Sequence, residues 1–465
     1  MRKTLRHLVV KDYTTGKMMA DIQAFRGLRF DLSKVGSLSD VVAPPYDVIS
    51  VQDCAELYEK NEFNVVRLIL NRGDKLLPDQ TVYERAAEHL KNWKNDGILR
   101  PDGVGAIYVY HQTFNVDGIE YTRRGFIARV RIEPFGQGSI YPHEKTHSKV
   151  KEDRYRLMEA CNSNLSPIFG IYSDQEGNPQ SMLDLAIEDR TPLTAIDKDG
   201  VRHDLWMVTD ANAIAAAAQS MGANSIYIAD GHHRYETATS IRDSRRERED
   251  LDPDHSVDYT MIMCVGMDDP GLVVLPTHRL FRGVRPMTSA KLIDKLKGAF
   301  DCEVVGTGVG LAGECWDAVQ VEGDQSTLAF YCREDDAWVL ARIRLEGVEM
   351  MEGLAEKKSE CWQSLGVAIL HELVMTHLLS GGELPSPRYV HGIEEVVSLL
   401  QSGDGNERDA TGQQGTGDYF ELACLVMPAT VADVKSISES GERMPAKSTY
   451  FYPKLLSGLV INPLD

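Results

Sequence analysis

The chain of 465 residues is 43% hydrophobic and 26% charged, the composition of an ordinary globular protein with room for about two to four domains. Its formal net charge of −20 at pH 7 argues against general binding to nucleic acid or anionic membranes, because phosphate-rich partners need a positive protein surface. The sequence has no apolar stretch of about eighteen residues, as a membrane span requires, and Met1 to Tyr13 lack the apolar segment of a secretory signal. We therefore predict a cytoplasmic protein that binds neither nucleic acid nor membranes.

The cysteines are scattered along the chain without the short spacings of a zinc knuckle or a disulfide framework. This pattern fits a reducing compartment and predicts no structural metal site. The eight cysteines are Cys54, Cys161, Cys264, Cys302, Cys315, Cys332, Cys361 and Cys424.

Residues 1–130 are predicted to form an N-terminal α/β region. It contains a proline-rich loop, residues 43–47 (Ala-Pro-Pro-Tyr-Asp), called the proline loop below. Turn residues at 115–118 separate two strand-like segments and predict a hairpin. The predicted elements are a strand at 65–70, a helix at 80–95, and hairpin strands at 106–110 and 121–130.

Residues 131–285 are predicted to form the α/β core, residues 286–345 a small α/β insertion, and residues 346–465 a C-terminal region. The alternation of strand and helix patterns predicts a mixed α/β (α+β) fold. The predicted elements are helices at 153–160, 289–299 and 359–379, an Ala-rich helix ending near 222, strands at 168–172, 328–331 and 338–343, and a loop at 401–418.

The most informative segment is a short buried strand, residues 226–228, followed by a sharp polar turn and a helix. Gly231 permits a backbone angle that a Cβ would disfavour, and the unpaired amides of a helix N-terminus attract phosphate. Adjacent histidine and arginine side chains add donors and positive charge. Residues 230–234, called the 230–234 turn below, therefore predict a phosphate site, although polar turns also occur for structural reasons. They are Asp230, Gly231, His232, His233 and Arg234.

Residues 143–147 read His-Glu-Lys-Thr-His and match the zinc-peptidase pattern H-E-x-x-H. That pattern binds zinc only when both histidines lie on one face of a helix. Pro142 precedes the segment, and its flanks lack the apolar pattern of a buried helix. A zinc metallopeptidase is therefore the least favoured of the functions considered.

Near the C-terminus, a lysine is followed by two hydroxyl side chains: Lys447, Ser448 and Thr449, called the KST segment below. The ammonium group supplies charge and the hydroxyls donate hydrogen bonds, which suits an oxyanion. The structural alternative is the start of a strand, with the aromatic residues 450–452 in the core. The density of proline, lysine and hydroxyl residues favours an ordered loop that returns to a site.

Three segments occur in the same order as in free-serine kinases of the ParB/sulfiredoxin-like superfamily, which the chain resembles: Pro-His-Glu at 142–144, the 230–234 turn, and the KST segment. The whole chain is also similar to a widespread uncharacterised prokaryotic family, domain of unknown function 1015. That similarity is carried by the proline loop, residues 164–168 (Asn-Leu-Ser-Pro-Ile), the 230–234 turn, residues 275–279 (Leu-Pro-Thr-His-Arg) and residues 447–453.

The kinase resemblance implies a ParB/sulfiredoxin-like core with N-terminal and C-terminal elaborations, and it implies a role for each matching residue. Glu144 would be the catalytic base, and Asp230 would lie near the reacting hydroxyl or Mg²⁺. Gly231, His232, His233 and Arg234 would bind nucleotide phosphates. His143, Lys447, Ser448 and Thr449 would contact substrate or phosphate.

The resemblance predicts a kinase that uses a nucleotide, ATP or ADP, with Mg²⁺ and acts on a small hydroxylated metabolite. Free L-serine, converted to O-phosphoserine, is the specific prediction, and the reverse reaction is open to the same site. The alternative is a ParB-like switch that binds and hydrolyses a nucleotide, which the net charge disfavours.

The proline loop could supply a different substrate pocket. Four basic residues near the predicted core strands could bind phosphate or be ordinary surface charges: Arg123, Arg124, Lys151 and Arg154.

Overall fold

The computed structural model describes residues 20–72, 81–146, 148–173, 179–379, 387–403 and 419–465. His147 and most of the predicted loop at 401–418 lie outside the described residues. No helix in these ranges is long and apolar enough to cross a membrane.

The strands follow one another along the whole described chain. They are β1 (Ile22–Gln23), β2 (Leu28–Phe30), β3 (Leu99–Pro101), β4 (Ile107–Val116), β5 (Ile119–Arg131), β6 (Ile140–Pro142), β7 (Ser163–Asn164), β8 (Ile168–Tyr172), β9 (Leu193–Ile196), β10 (Arg202–Val208), β11 (Ile226–Asp230), β12 (Tyr259–Gly266), β13 (Val273–Leu275), β14 (His278–Phe281), β15 (Phe300–Thr307), β16 (Thr327–Cys332), β17 (Ala337–Ile343), β18 (Arg388–Val390), β19 (Leu422–Leu425), β20 (Tyr450–Tyr452) and β21 (Asn462–Pro463).

Helices alternate with these strands. They are α1 (Leu32–Val35), α2 (Leu38–Val41), α3 (Val51–Lys60), α4 (Val66–Ile69), α5 (Val82–Asn95), α6 (Ser148–Cys161), α7 (Pro179–Leu185), α8 (Ala211–Gly222), α9 (His232–Arg248), α10 (Ser289–Leu296), α11 (Ala312–Glu322), α12 (Leu345–Leu354), α13 (Glu360–Gln363), α14 (Gly366–Ala368), a π-helix (Ile369–Leu378), α15 (Ile393–Ser402) and α16 (Val431–Glu439), with 3₁₀ turns at Tyr46–Val48, Ser256–Asp258, Val309–Leu311 and Arg333–Asp335.

The larger sheet has the order β6, β11, β8, β12, β5, β4, β10, β9, and β1 also pairs with β5. β6 is parallel to β11 and β8 is parallel to β12, while β11 and β8 are antiparallel. The C-terminal ends of β6 and β11 therefore meet the N-terminal ends of β8 and β12 at one edge. This mixed sheet, with helices between its strands, confirms the predicted mixed α/β class. The sheet combines strands of the predicted N-terminal region, residues 1–130, with strands of the predicted core, residues 131–285.

The central strands β8, β11 and β12 are buried on both faces of the sheet, because successive side chains of a strand point to opposite faces and nearly all of them are buried. In β11, Ile226 and Ile228 pack with residues of α8 and α9, whereas Tyr227 and Ala229 pack into the core shared with the C-terminal residues. β11 is thus fixed from both sides, and the 230–234 turn leaves it in a defined direction.

The smaller sheet has the order β15, β17, β16, β19, β14, β18. It combines strands from the predicted insertion at 286–345 with strands from residues before and after it. The division of the chain into four independent regions stays a prediction.

Two local predictions are wrong. The apolar run at 65–70 predicts a strand, but α4 occupies Val66–Ile69, and the Asn64 side chain accepts a hydrogen bond from the Val66 amide, 2.9 Å, at the start of this helix. A short apolar run does not by itself distinguish a buried strand from a buried helix. The predicted helix at 359–379 is interrupted at Leu365, which has extended backbone angles, and the Gly366 amide donates to Gln325 instead.

Candidate functional site

The 230–234 turn joins β11 directly to α9 at the end of the larger sheet. Gly231 has a φ of +92° and occupies the N-cap position of α9, with no side-chain cap. A Cβ at this glycine would lie 2.9 Å from three guanidinium atoms of Arg234. Glycine supplies no side chain to cap the first turn of α9, and helix N-termini bind phosphate in other proteins.

Glu144 lies beside the turn because β6 is the parallel neighbour of β11. The Met444 amide donates to the His143 carbonyl, 2.8 Å, and Glu144 pairs with Met444 in a parallel bridge. This pairing brings the KST segment to Glu144, where the Lys447 charge and the Ser448 amide both act to lower the pKa of the carboxyl group. Burial raises the pKa of Glu144 to about 7, against the opposing effect of the Lys447 charge.

Asp230 is paired with two cationic side chains, those of Lys454 and Arg234. Its carboxylate accepts a hydrogen bond from Lys454 Nζ, 2.8 Å, and lies 3.5 Å from Arg234 Nη2. Burial acts to raise the pKa of Asp230, but the charges of Lys454, Arg234 and Lys447 outweigh it and hold the pKa well below its ordinary value. Asp230 is therefore a carboxylate at neutral pH.

His143 and His232 form a buried pair behind Glu144. The His143 ring contacts the Ile228 carbonyl through Nδ1, 2.8 Å, and Thr449 Oγ1 through Nε2, 3.0 Å. His232 Nε2 accepts from the His143 amide, 3.3 Å, and the two rings meet edge to face. Burial lowers the pKa of His143 to about 4, so the ring is neutral and its Nδ1 donates to the carbonyl. Both ring nitrogens of His143 are thus engaged within the protein, one by a backbone carbonyl and the other by the Thr449 hydroxyl.

Lys447 is the exposed cation of the KST segment and has a φ of +56°. Its carbonyl accepts from Nη2 of the buried Arg279, 2.9 Å, which holds the lysine backbone in place. Ser448 Oγ donates to the Pro445 carbonyl, 2.6 Å. The hydroxyls of Ser448 and Thr449 are therefore engaged within the protein, while the Lys447 charge acts to lower the pKa values of Glu144 and Asp230.

The three predicted segments thus meet at one place. Lys447 and Asp230 both influence the pKa of Glu144. His233 and Arg234 are half-buried in the first turn of α9. Arg234 Nη1 also donates to the Pro167 carbonyl, which ties the turn to the segment before β8. The site therefore holds a glutamate whose pKa is raised to about 7, next to lysine ammonium groups and the N-terminus of α9.

Sequence reasoning missed several residues of this site. Lys454 pairs with Asp230, and its ammonium lies 4.3 Å from the centre of the Tyr450 ring. His391 stacks on the same ring, and Arg279 holds Lys447. Lys454 follows directly on one of the segments quoted for the family resemblance, and Tyr450 and Arg279 lie within such segments. Apart from these positions, nothing in the residue types of Lys454, Tyr450, His391 or Arg279 indicates that they belong to the site.

The four basic residues near the core strands have different environments. Arg123 is fully buried and donates to the carbonyls of Tyr452 and Pro453, so it holds the C-terminal segment and is not a surface charge. Arg124 lies near Asp269 and Asp184. Lys151 pairs with Glu236, and the Arg154 guanidinium lies 4.0 Å from the centre of the Tyr46 ring.

Residues 143–146 are not helical, and α6 begins only at Ser148. The helical face on which H-E-x-x-H would present its first histidine and glutamate is therefore missing, and His143 is engaged by Ile228 and Thr449 instead. His147 lies outside the described residues.

Three solved structures resemble this chain, with low sequence identities and low TM-scores. A free serine kinase in complex with AMP is 12% identical, with a TM-score of 0.30, and the match covers 69% of this chain and 89% of the kinase chain. A conserved hypothetical protein from Pyrococcus furiosus is 12% identical, with a TM-score of 0.30, covering 68% and 90%. SbnI with C-terminal truncation from Staphylococcus aureus is 9% identical, with a TM-score of 0.31, covering 71% and 85%. Similarity at this level does not by itself assign an activity.

The search of curated proteins gave no significant match. A family model described as "Protein of unknown function (DUF1015)" matches residues 22–368, which is most of the chain. The chain therefore belongs to the DUF1015 family.

Proposed function

We propose that this protein transfers a phosphoryl group between a nucleotide and the hydroxyl of a small metabolite, with free L-serine and O-phosphoserine as the specific pair. The observation that carries the proposal is the meeting of Glu144, Lys447 and Asp230 at the N-terminus of α9. These residues come from three segments far apart in the sequence, and their order matches the serine-kinase resemblance.

The chemistry of the site suits this reaction. Phosphoryl transfer needs a protein mainly to position the reactants and to neutralise charge. Glu144 has a pKa near 7 and would accept the proton of the attacking hydroxyl. Lys447 would stabilise the negative charge on the transferred group. The backbone amides that follow Gly231 would bind phosphate oxygens. Glycine suits position 231, because a Cβ there would meet the Arg234 side chain.

Mg²⁺ fits the same place. In nucleotide sites this ion is held by one or two carboxylates together with phosphate oxygens, so a complete protein cage is not needed. The described residues contain no group of three or more His, Cys, Asp or Glu side chains able to hold a metal. Asp230 is ionised, so its carboxylate would hold Mg²⁺ together with phosphate oxygens, and the ion would neutralise phosphate charge.

The test is to incubate the purified protein with serine, Mg²⁺ and, in turn, ATP, ADP or CTP, and to measure O-phosphoserine by mass spectrometry. The reverse reaction is measured with O-phosphoserine and the nucleoside diphosphates. We expect product with at least one nucleotide and a loss of about 10²–10⁴-fold in rate for Glu144→Gln. Failure to form product in either direction contradicts the proposed function.

Glu133→Gln is the matched control. Glu133 is also a buried glutamate with a pKa raised by burial, but it accepts hydrogen bonds from Ser139, at the N-terminal end of β6. We expect this variant to keep the wild-type rate. Nucleotide turnover that requires DNA and forms no phosphoserine would favour the nucleotide-switch alternative.

A further inference from the structure

We propose that a cavity at the β9–β10 edge of the larger sheet binds a small organic monocarboxylate with a compact apolar body. The cavity, called the Arg190 cavity below, has a volume of about 180 Å³. Its walls include Arg29, Arg190, Leu193, Leu205, Trp206 and Met207. This inference is independent of the proposed phosphoryl transfer.

The cavity lies where β10 extends beyond β9. β9 begins at Leu193, which pairs with Leu205, so Trp206 and Met207 have no β9 residue opposite them. Leu193, Leu205 and Met207 pack with the same core cluster and therefore lie on one face of the sheet. The chain just before β9 is held at this place because Trp206 Nε1 donates to the Arg190 carbonyl, 2.7 Å. The cavity thus opens to solvent beside the exposed Arg190.

The order of the strands separates this cavity from the proposed active site. Between β10 and β11 lie β4, β5, β12 and β8. Neighbouring strands are about 4.8 Å apart, so β10 lies about 24 Å along the sheet from the strand that carries the 230–234 turn. The Arg190 cavity is therefore a second site, which shares no residue with the first.

Arg29 supplies a guanidinium group that is already fixed in position. Its Nε donates to Asp102 Oδ2, 2.9 Å, and Asp102 in turn accepts from the Tyr108 hydroxyl, 2.7 Å. Arg29 Nη2 also contacts the Met207 sulfur in the cavity wall, 3.7 Å, which is a weak acceptor, and the described residues provide no acceptor for Nη1. A pre-organised guanidinium loses little conformational freedom when it binds a second carboxylate.

Arg190 supplies the positive charge that is not balanced within the protein. Asp102 balances Arg29, whereas no carboxylate among the described residues lies within ion-pair distance of Arg190. Its Nη1 donates only to the Ala186 carbonyl, at 3.5 Å, so this contact is weak. One positive charge is thus left at the cavity, and it matches a ligand with one negative charge.

The remaining walls set the size and the apolar character of the ligand. Leucine, methionine and tryptophan side chains at 193, 205, 206 and 207 face the cavity. In other proteins an apolar cavity of about 150 Å³ binds benzene. A volume of about 180 Å³ therefore accommodates a body of that size together with a carboxylate, whereas a nucleotide is far too large.

The first experiment measures the binding of benzoate, isovalerate and the uncharged benzamide by calorimetry. We expect binding of benzoate or isovalerate, and an affinity about tenfold lower for benzamide or in Arg190→Met, because a hydrogen bond to a charged group is lost. Arg202→Met is the matched control, because Arg202 lies on the same strand, pairs with Asp204 and is 56% exposed. It should bind like the wild type. Absence of saturable carboxylate binding, or equal affinities for benzoate and benzamide, overturns the inference.

The second experiment locates benzoate in the wild-type protein by NMR of the methionine methyl groups. The Met207 signal is assigned with Met207→Leu. Benzoate should shift this signal, because its ring would lie against the Met207 side chain in the cavity wall. The signal of Met444, whose amide bonds to His143 beside the proposed active site, should not move. A shift of Met444 with Met207 unchanged places benzoate elsewhere and overturns the inference.

Discussion

At the scale of single residues, the environment of Glu144 determines how the proposed reaction depends on pH. Burial raises the pKa of Glu144 from the ordinary value of 4.5 to about 7. A general base acts in its deprotonated form, so the rate should rise about tenfold per pH unit below 7 and become constant above it. The measurement is kcat/KM for serine at pH values on both sides of 7.

Glu144→Gln should remove this dependence, because glutamine does not titrate, and Glu133→Gln should keep it. A wild-type rate that rises instead near the ordinary pKa of glutamate contradicts the role of Glu144 as the base.

The ion pair of Lys454 with Asp230 leads to a prediction about stability. Both side chains are mostly buried, with 16% and 19% of their surfaces exposed. Lys454→Met leaves the Asp230 carboxylate without its closest cation, and it should lower the free energy of unfolding by about 2 kcal/mol. The free energy is measured by urea denaturation.

Lys198→Met is the control for this variant, because Lys198 pairs with Asp53 but is 54% exposed. Exposed pairs contribute about 0–1 kcal/mol, so we expect little change. Equal losses in the two variants would contradict the importance of the Lys454 pair.

At the scale of elements, the junction of β11 and α9 depends on Gly231. Alanine at a positive φ costs about 1–2 kcal/mol, and the added Cβ would also meet the Arg234 guanidinium at 2.9 Å. Gly231→Ala should therefore lower the free energy of unfolding and also weaken pyrophosphate binding. The two measurements are urea denaturation and calorimetry.

Gly36→Ala is the control that separates the effect on stability from the effect on pyrophosphate binding. Gly36 also has a positive φ, +80°, but a Cβ there would meet nothing within 4 Å. It should lose a similar amount of stability and keep the wild-type affinity for pyrophosphate. If Gly231→Ala also keeps that affinity, the turn does not bind phosphate.

At the scale of the whole molecule, the C-terminal residues connect parts that are distant in the sequence. Met444 bonds to His143, Ser457 to Ala43, Ile461 to Leu28, and β21 pairs with β7. The buried Arg123 holds the same segment through two carbonyls. Residues 444–464 are thus held to the N-terminal region and to the core sheet at once.

We expect the amides of Met444, Ser457 and Ile461 to exchange with solvent as slowly as those of β5 and β12, because they open only when the whole molecule unfolds. Hydrogen exchange followed by mass spectrometry measures this. Much faster exchange over residues 444–464 than in β5 would mean that the segment detaches locally and that the site is not permanently formed.

The sequence alone determined the mixed α/β class, the hairpin of β4 and β5, the junction of strand, turn and helix at residues 226–234, and membership in the family. These features depend on local patterns, such as apolar periodicity and a glycine where φ must be positive. Only the tertiary structure decided that Lys454 pairs with Asp230 across 224 positions, that Arg279 fixes Lys447, and that Tyr46 stacks with Arg154 beside the turn. It also decided that residues 66–69 are helical. Contacts between distant segments depend on how whole elements pack, and a single sequence carries no local signal of that packing.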